Sequence, residues 1–108
     1  MDRRDAKIIK TLKDFKKAAK KKYAIDKMIL FGSQATGKAR KSSDIDLLIV
    51  SRLKKRKIKL MQNLYHEWHI KQNINYPVDF LCYTPKEFKK MKNQITIVRE
   101  AVRNGIEI

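Results

Sequence analysis

The 108-residue sequence predicts an α/β chain, α+β in detail: a small mixed β-sheet flanked by helices. Three features point to it. Two apolar runs, residues 27–31 and 44–50, are separated by a small polar turn that begins at Gly32-Ser33. A third run, residues 76–83, alternates with period 2, placing Val78, Phe80 and Cys82 on one face and Asp79, Leu81 and Tyr83 on the other. Stretches of helical periodicity precede, separate and follow these runs, so helices are available to cover the sheet.

In chain order, Ile8, Leu12, Phe15 and Ala19 recur at helical spacing between residues 4 and 22, with lysines on the opposite side. The strand at 27–31 ends at Gly32-Ser33, and a short helix is expected at 35–39. The strand at 44–50 is followed by Leu53, Ile58, Met61, Leu64, Tyr65 and Trp68, the apolar stripe of a long amphipathic helix that ends before Asn73. After the third strand, Thr84-Pro85-Lys86-Glu87 is a helix start with Thr84 as N-cap, Pro85 at the first helical position and Glu87 closing a capping box. A last short helix is expected at 95–102, stopped by Gly105, with 106–108 as a small edge strand.

The length suits one domain, 1–108, and no repeat or Gly/Pro-rich linker divides it. Apolar residues make up 43%, a globular share. Net charge is +16, extreme for this size. Such a balance attracts polyanions, RNA or nucleoside triphosphates among them, but it equally fits a Lys-rich proteome with solvated helix faces. Cys82 is the only cysteine, which leaves no disulfide and no Cys-based metal site; it reads as a small core residue. With no long apolar stretch and no apolar segment after the charged N-terminus, the chain reads as soluble and cytoplasmic, without membrane contact.

The chemistry concentrates in residues 31–50. Asp44 and Asp46 are two apart, so on a strand they point to one face. Ile45, Leu47, Leu48, Ile49 and Val50 surround Asp46, and a carboxylate among such neighbours is costly to desolvate without a compensating cation or donor. Asp79 joins the pair if the third strand lies beside the second. Oxygen ligands with no His or Cys nearby suit Mg²⁺, or Mn²⁺, rather than zinc. Gly32-Ser33 offers backbone N–H groups and a hydroxyl to a phosphate. Taken singly, each piece has a plainer explanation: a turn aspartate, a strand-edge acid, a common Gly-Ser turn. Their conjunction is the layout of a nucleoside triphosphate site. His66-Glu67-x-His69 does not have the spacing of a helical zinc motif, and both histidines read as surface residues. Trp68 and Tyr65 fit a core or partner-facing stripe.

Gly32-Ser33, ten residues, then Asp44-x-Asp46 resembles the signature of the DNA polymerase β-like nucleotidyltransferase superfamily. The longer string from Phe31 to Val50 resembles its minimal nucleotidyltransferase (MNT) family, small single domains built on a polymerase β-like palm. The resemblance implies that Asp44, Asp46 and Asp79 are the catalytic, metal-binding acids and that Gly32 and Ser33 hold the triphosphate. Arg40 in the intervening loop is implied as a phosphate contact, with Lys38 and Lys41 as weaker ones. Gln34 stands where relatives often carry a basic or small residue. The implied activity is Mg²⁺-dependent transfer of a nucleoside monophosphate, AMP from ATP, to an acceptor hydroxyl. The resemblance also implies a HEPN-type toxin as partner, silenced by adenylylation on a hydroxyl such as tyrosine's. Two rivals stand beside it: an antitoxin that acts by occlusion alone, and an RNA-modifying or RNA-binding nucleotidyltransferase favoured by the basic charge.

Overall fold

The computed structural model describes residues 3–32, 35, 44–94 and 96–108. Among these, a four-stranded mixed sheet is covered by helices on both faces. The strands are β1 (Ile25–Phe31), β2 (Ile45–Ser51), β3 (Val78–Tyr83) and β4 (Ile106–Glu107), in spatial order β3-β2-β1-β4. β1 runs antiparallel to β2 and to β4, while β2 and β3 are parallel. The parallel pair requires a crossover, which α2 (Lys57–His66) and a π-helical turn at Glu67–Lys71 supply. The remaining helices are α1 (Arg3–Ala19), α3 (Pro85–Met91) and α4 (Ile97–Asn104).

The predicted apolar stripe of α1 is its buried face: Ile8, Leu12, Phe15 and Ala19 are all buried. They pack with Leu60, Leu64 and Trp68 against Ile45, Leu47, Ile49 and Phe80. Phe15 meets Trp68 edge-on at 5.0 Å between centroids and stacks on Phe80 at 5.9 Å, an aromatic knot that fixes α1 to the sheet. On the opposite face, Phe88 of α3 and Val98 and Ala101 of α4 close over Ile29, Phe31, Leu48 and Val50. β2 therefore faces helices on both sides, which is why it reads as an unbroken apolar run after Asp46.

Several boundaries differ from the sequence expectation, each with a local cause. β1 starts at Ile25, two residues early, because Ala24 at φ 48° turns the chain and Asp26 is bulged outward from the pairing with β2. β3 starts at Val78, later than expected, since Pro77 has no N–H for a ladder; its carbonyl instead accepts from Ile45 N–H at 2.9 Å. The crossover helix starts at Lys57 because Leu53 N–H donates to Ser51 Oγ, holding the chain in a loop. At its end the wider π turn lets consecutive Glu67 and Trp68 both face inward. α4 runs 97–104, with Thr96 as N-cap accepting from Arg99 N–H. The capping box at Thr84, Pro85 and Glu87 forms as expected. No helix of the described residues is long and apolar enough to cross a membrane.

Candidate functional site

One end of the sheet collects the predicted acids. Because β2 and β3 are parallel and in register at Asp46 and Asp79, the two aspartates stand side by side on adjacent strands. Asp44, immediately before β2, adds a third carboxylate in electrostatic reach of Asp46. The condition for Asp79 to join the pair, adjacency of the third strand to the second, is met. All three are at the N-terminal ends of their strands, where the face that carries Leu48 and Val50 runs out from under α3 and α4. Asp44 and Asp79 are exposed, Asp46 half-buried.

Burial pushes the Asp46 carboxyl up from its ordinary range, and the negative charges of Asp79 and then Asp44 push it further the same way. On a chain of net charge +16, three of eleven acids thus gather where they repel one another. That arrangement is unfavourable on its own and would be relieved by a cation. The donors are hard carboxylate oxygens, which fits Mg²⁺ or Mn²⁺. Among the described residues no group of three or more acids, histidines or cysteines is arranged to hold a metal ion by itself. A Mg²⁺ ion here would also depend on water and phosphate oxygens to complete its octahedron.

β1 runs antiparallel to β2 and ends at the same place, so Phe31 pairs with Asp46 and Gly32 follows beside the carboxylate. Gly32 has φ 74°, a left-handed conformation that favours glycine. A Cβ built there would overlap an Asp46 carboxylate oxygen, with the carboxyl carbon at 3.3 Å. The Gly32 carbonyl accepts from Ala35 N–H at 3.1 Å, so the chain turns sharply as it leaves β1. Ser33, Arg40, Lys38, Lys41 and Gln34 lie outside the described residues, as does the expected helix at 35–39 beyond Ala35 itself.

Away from this end, His66 and His69 are exposed, as expected for surface residues. The helical pattern does not predict the placement of Glu67, which lies between them. Glu67 is fully buried, its carboxylate accepting from Gln72 Nε2 at 2.8 Å, Lys22 Nζ at 3.1 Å and Tyr23 Oη at 3.4 Å. A carboxylate one position before the buried Trp68 was the available signal. Cys82 is buried, as the sequence implied.

The family described as nucleotidyltransferase domain matches residues 12–103. Two solved structures share the fold. One is a Sulfolobus solfataricus protein provisionally called a nucleotidyltransferase, 18% identical, TM-score 0.61, covering 95% of this chain and 80% of its own. The other is described as a toxin-antitoxin with AMP-PNP, 21% identical, TM-score 0.54, covering 95% of this chain and 70% of its own. No curated protein matches the chain significantly.

Proposed function

Since this chain belongs to the nucleotidyltransferase domain family, we propose that it transfers a nucleoside monophosphate, AMP from ATP, to an acceptor hydroxyl with release of pyrophosphate. The observation that carries the reading is the register pairing of Asp46 with Asp79 beside the Gly32 turn. Asp44, Asp46 and Asp79 would hold the divalent cation, Mg²⁺ or Mn²⁺. When bound, it would supply the positive charge that a triphosphate and a departing pyrophosphate need in an acidic site. Gly32 and Ser33 would cradle the β- and γ-phosphates through backbone N–H groups and a hydroxyl, with Arg40 as a further phosphate contact. The missing Cβ at Gly32 lets the phosphate-bearing turn approach Asp46 closely. Asp79, which is exposed, would receive the proton of the acceptor hydroxyl. The acceptor oxygen then bonds to the α-phosphorus as the bond between that phosphorus and the bridging oxygen to the β-phosphate breaks.

The resemblance to minimal nucleotidyltransferases, and a structural neighbour that is a toxin-antitoxin with AMP-PNP, favour an antitoxin role in which a HEPN-type toxin is the acceptor. The test is transfer of label from [α-³²P]ATP, with Mg²⁺, into a lysate of the source organism, with Asp46→Asn protein alongside. A labelled small protein that disappears with Asp46→Asn supports the reading. Label on RNA would replace the protein acceptor with an RNA one. No aspartate-dependent label would leave an antitoxin acting by occlusion as the better account.

A further inference from the structure

We propose that the end of the sheet opposite the aspartates is a binding groove for the phosphate backbone of a nucleic-acid strand. The chain leaves β2 at Ser51 into a loop that, together with the start of α3, lines a cleft of about 630 Å³. Its cations are Arg52, Lys54, Lys55, Arg56 and Lys86. A second cleft of about 520 Å³ adjoins it through Arg52 and adds Lys20 and Lys21. Among the described residues the one carboxylate paired with these seven cations is Asp26, on Arg52 at 2.7 Å. All seven side chains are exposed.

The groove is more than a solvated lysine run, because its loop is held in place. Ser51 is buried; its hydroxyl donates to the Tyr23 carbonyl at 2.5 Å and accepts from Leu53 N–H at 3.0 Å. Arg52 N–H donates to the Ala24 carbonyl at 3.0 Å. The loop thus presents its cations from a fixed backbone. Arg56 stands at the N-cap of α2, where it makes no side-chain cap, and the first turn of that helix carries no acid. Cations at a helix N-terminus oppose the macrodipole, and an anion seated there relieves both.

Charge complementarity selects the occupant. Apolar anchors, which dominate protein–protein affinity, are scarce here, Leu53 and Pro85 being the apolar residues of the larger cleft. Phosphate-backbone binding needs little besides cations in a row. The groove and the acid site lie at opposite ends of β2, so this inference does not depend on the proposed catalysis.

The test is fluorescence anisotropy with a labelled 20-nucleotide oligouridylate and with a labelled 20-base-pair duplex, titrated over a salt series. Lys54→Gln/Lys55→Gln/Arg56→Gln is compared with Lys10→Gln/Lys13→Gln/Lys17→Gln, which removes the same charge from the exposed side of α1. The groove variant should lose about tenfold or more in affinity and lower the log–log salt slope for the single strand by about 2, from roughly 0.7 per phosphate contact. The α1 variant should change both far less. Equal losses in the two variants would mean that net charge alone governs binding and would overturn the proposal. So would failure of both nucleic acids to bind at 50 mM salt. Preferential displacement by polyglutamate of matched charge would instead make the occupant an acidic protein segment.

Discussion

Replacing Gly32 with alanine tests whether the turn and the Asp46 carboxylate are built as one unit. Two costs follow from the geometry. At φ 74°, an alanine pays the left-handed penalty of about 1–2 kcal/mol. Its Cβ also falls on the Asp46 carboxylate oxygen, an overpacking cost of about 1–3 kcal/mol if neither side can move. Together these give a loss of about 2–5 kcal/mol in urea unfolding. Asp46→Gly removes the obstructing side chain, so in that background Gly32→Ala should cost the backbone penalty alone. The double-mutant cycle then yields a coupling of about 1–3 kcal/mol. Gly32→Ala should also reduce nucleotidyl transfer by about 10²-fold, the scale of a 1 Å misplacement of a catalytic group. A coupling below about 0.5 kcal/mol would refute the reasoning. The carboxylate would then simply rotate aside, and the close approach would constrain nothing.

Glu67→Ala should destabilise by about 2–3 kcal/mol, since a buried charge-assisted hydrogen-bond network is dismantled; Lys22→Ala should cost less, because Gln72 and Tyr23 still serve the carboxylate. Burial raises the Glu67 carboxyl, but hydrogen bonds from Gln72 and Lys22 outweigh it and the net shift is downward. A depressed folded-state value means stability that is present above the unfolded value and lost as pH falls through the folded one. Thermal melts from pH 6 to pH 3 should therefore show an acid limb that Glu67→Gln flattens; an unchanged limb would assign acid unfolding elsewhere. Cys82 is raised to about 11 by burial, against a lowering influence from Lys57, so thiol labelling at pH 8 should follow global unfolding across a urea series. Rapid labelling in native buffer would contradict the burial.

The acid site was legible because its grammar is local. Asp44 and Asp46 share a face by pleat, and apolar neighbours single out Asp46, whatever the rest of the chain does. Asp79 needed one tertiary fact, the parallel pairing of β3 with β2, which alternation in a single strand does not contain. Helix starts with a chemical cap, such as Thr84, were readable to the residue. The start of α2 was not, because what ends the loop before it is a hydrogen bond from Leu53 to a buried serine, in a segment as basic and periodic as the helix itself. Glu67 was hidden for a similar reason. Its burial depends on a π turn capped by Gln72 and on Lys22 and Tyr23 arriving from the segment after α1.

Strand polarity explains why the two charged regions of this molecule are separated. β2 and β3 point the same way, so their N-terminal residues, Asp46 and Asp79, share one end of the sheet. β1 is antiparallel, so its C-terminal turn at Gly32 comes to that same end. The outgoing ends of β2 and β3 must then both emerge at the other end, bringing Arg52, Lys54, Lys55 and Arg56 together with Lys86. The separation of 34 positions from Arg52 to Lys86 in sequence hides this from any charge-run analysis. One sheet topology thus gathers repelling carboxylates at one end and repelling cations at the other. On the two proposals made above, each end would be relieved by a species of opposite sign, a divalent cation with its triphosphate at the first and a polyphosphate strand at the second. The +16 net charge acts over longer range than either contact, drawing anions toward the chain as a whole. Under the proposed function the local acids would admit a triphosphate only together with its cation, so that the basic field would not hold it in a bare form at that end.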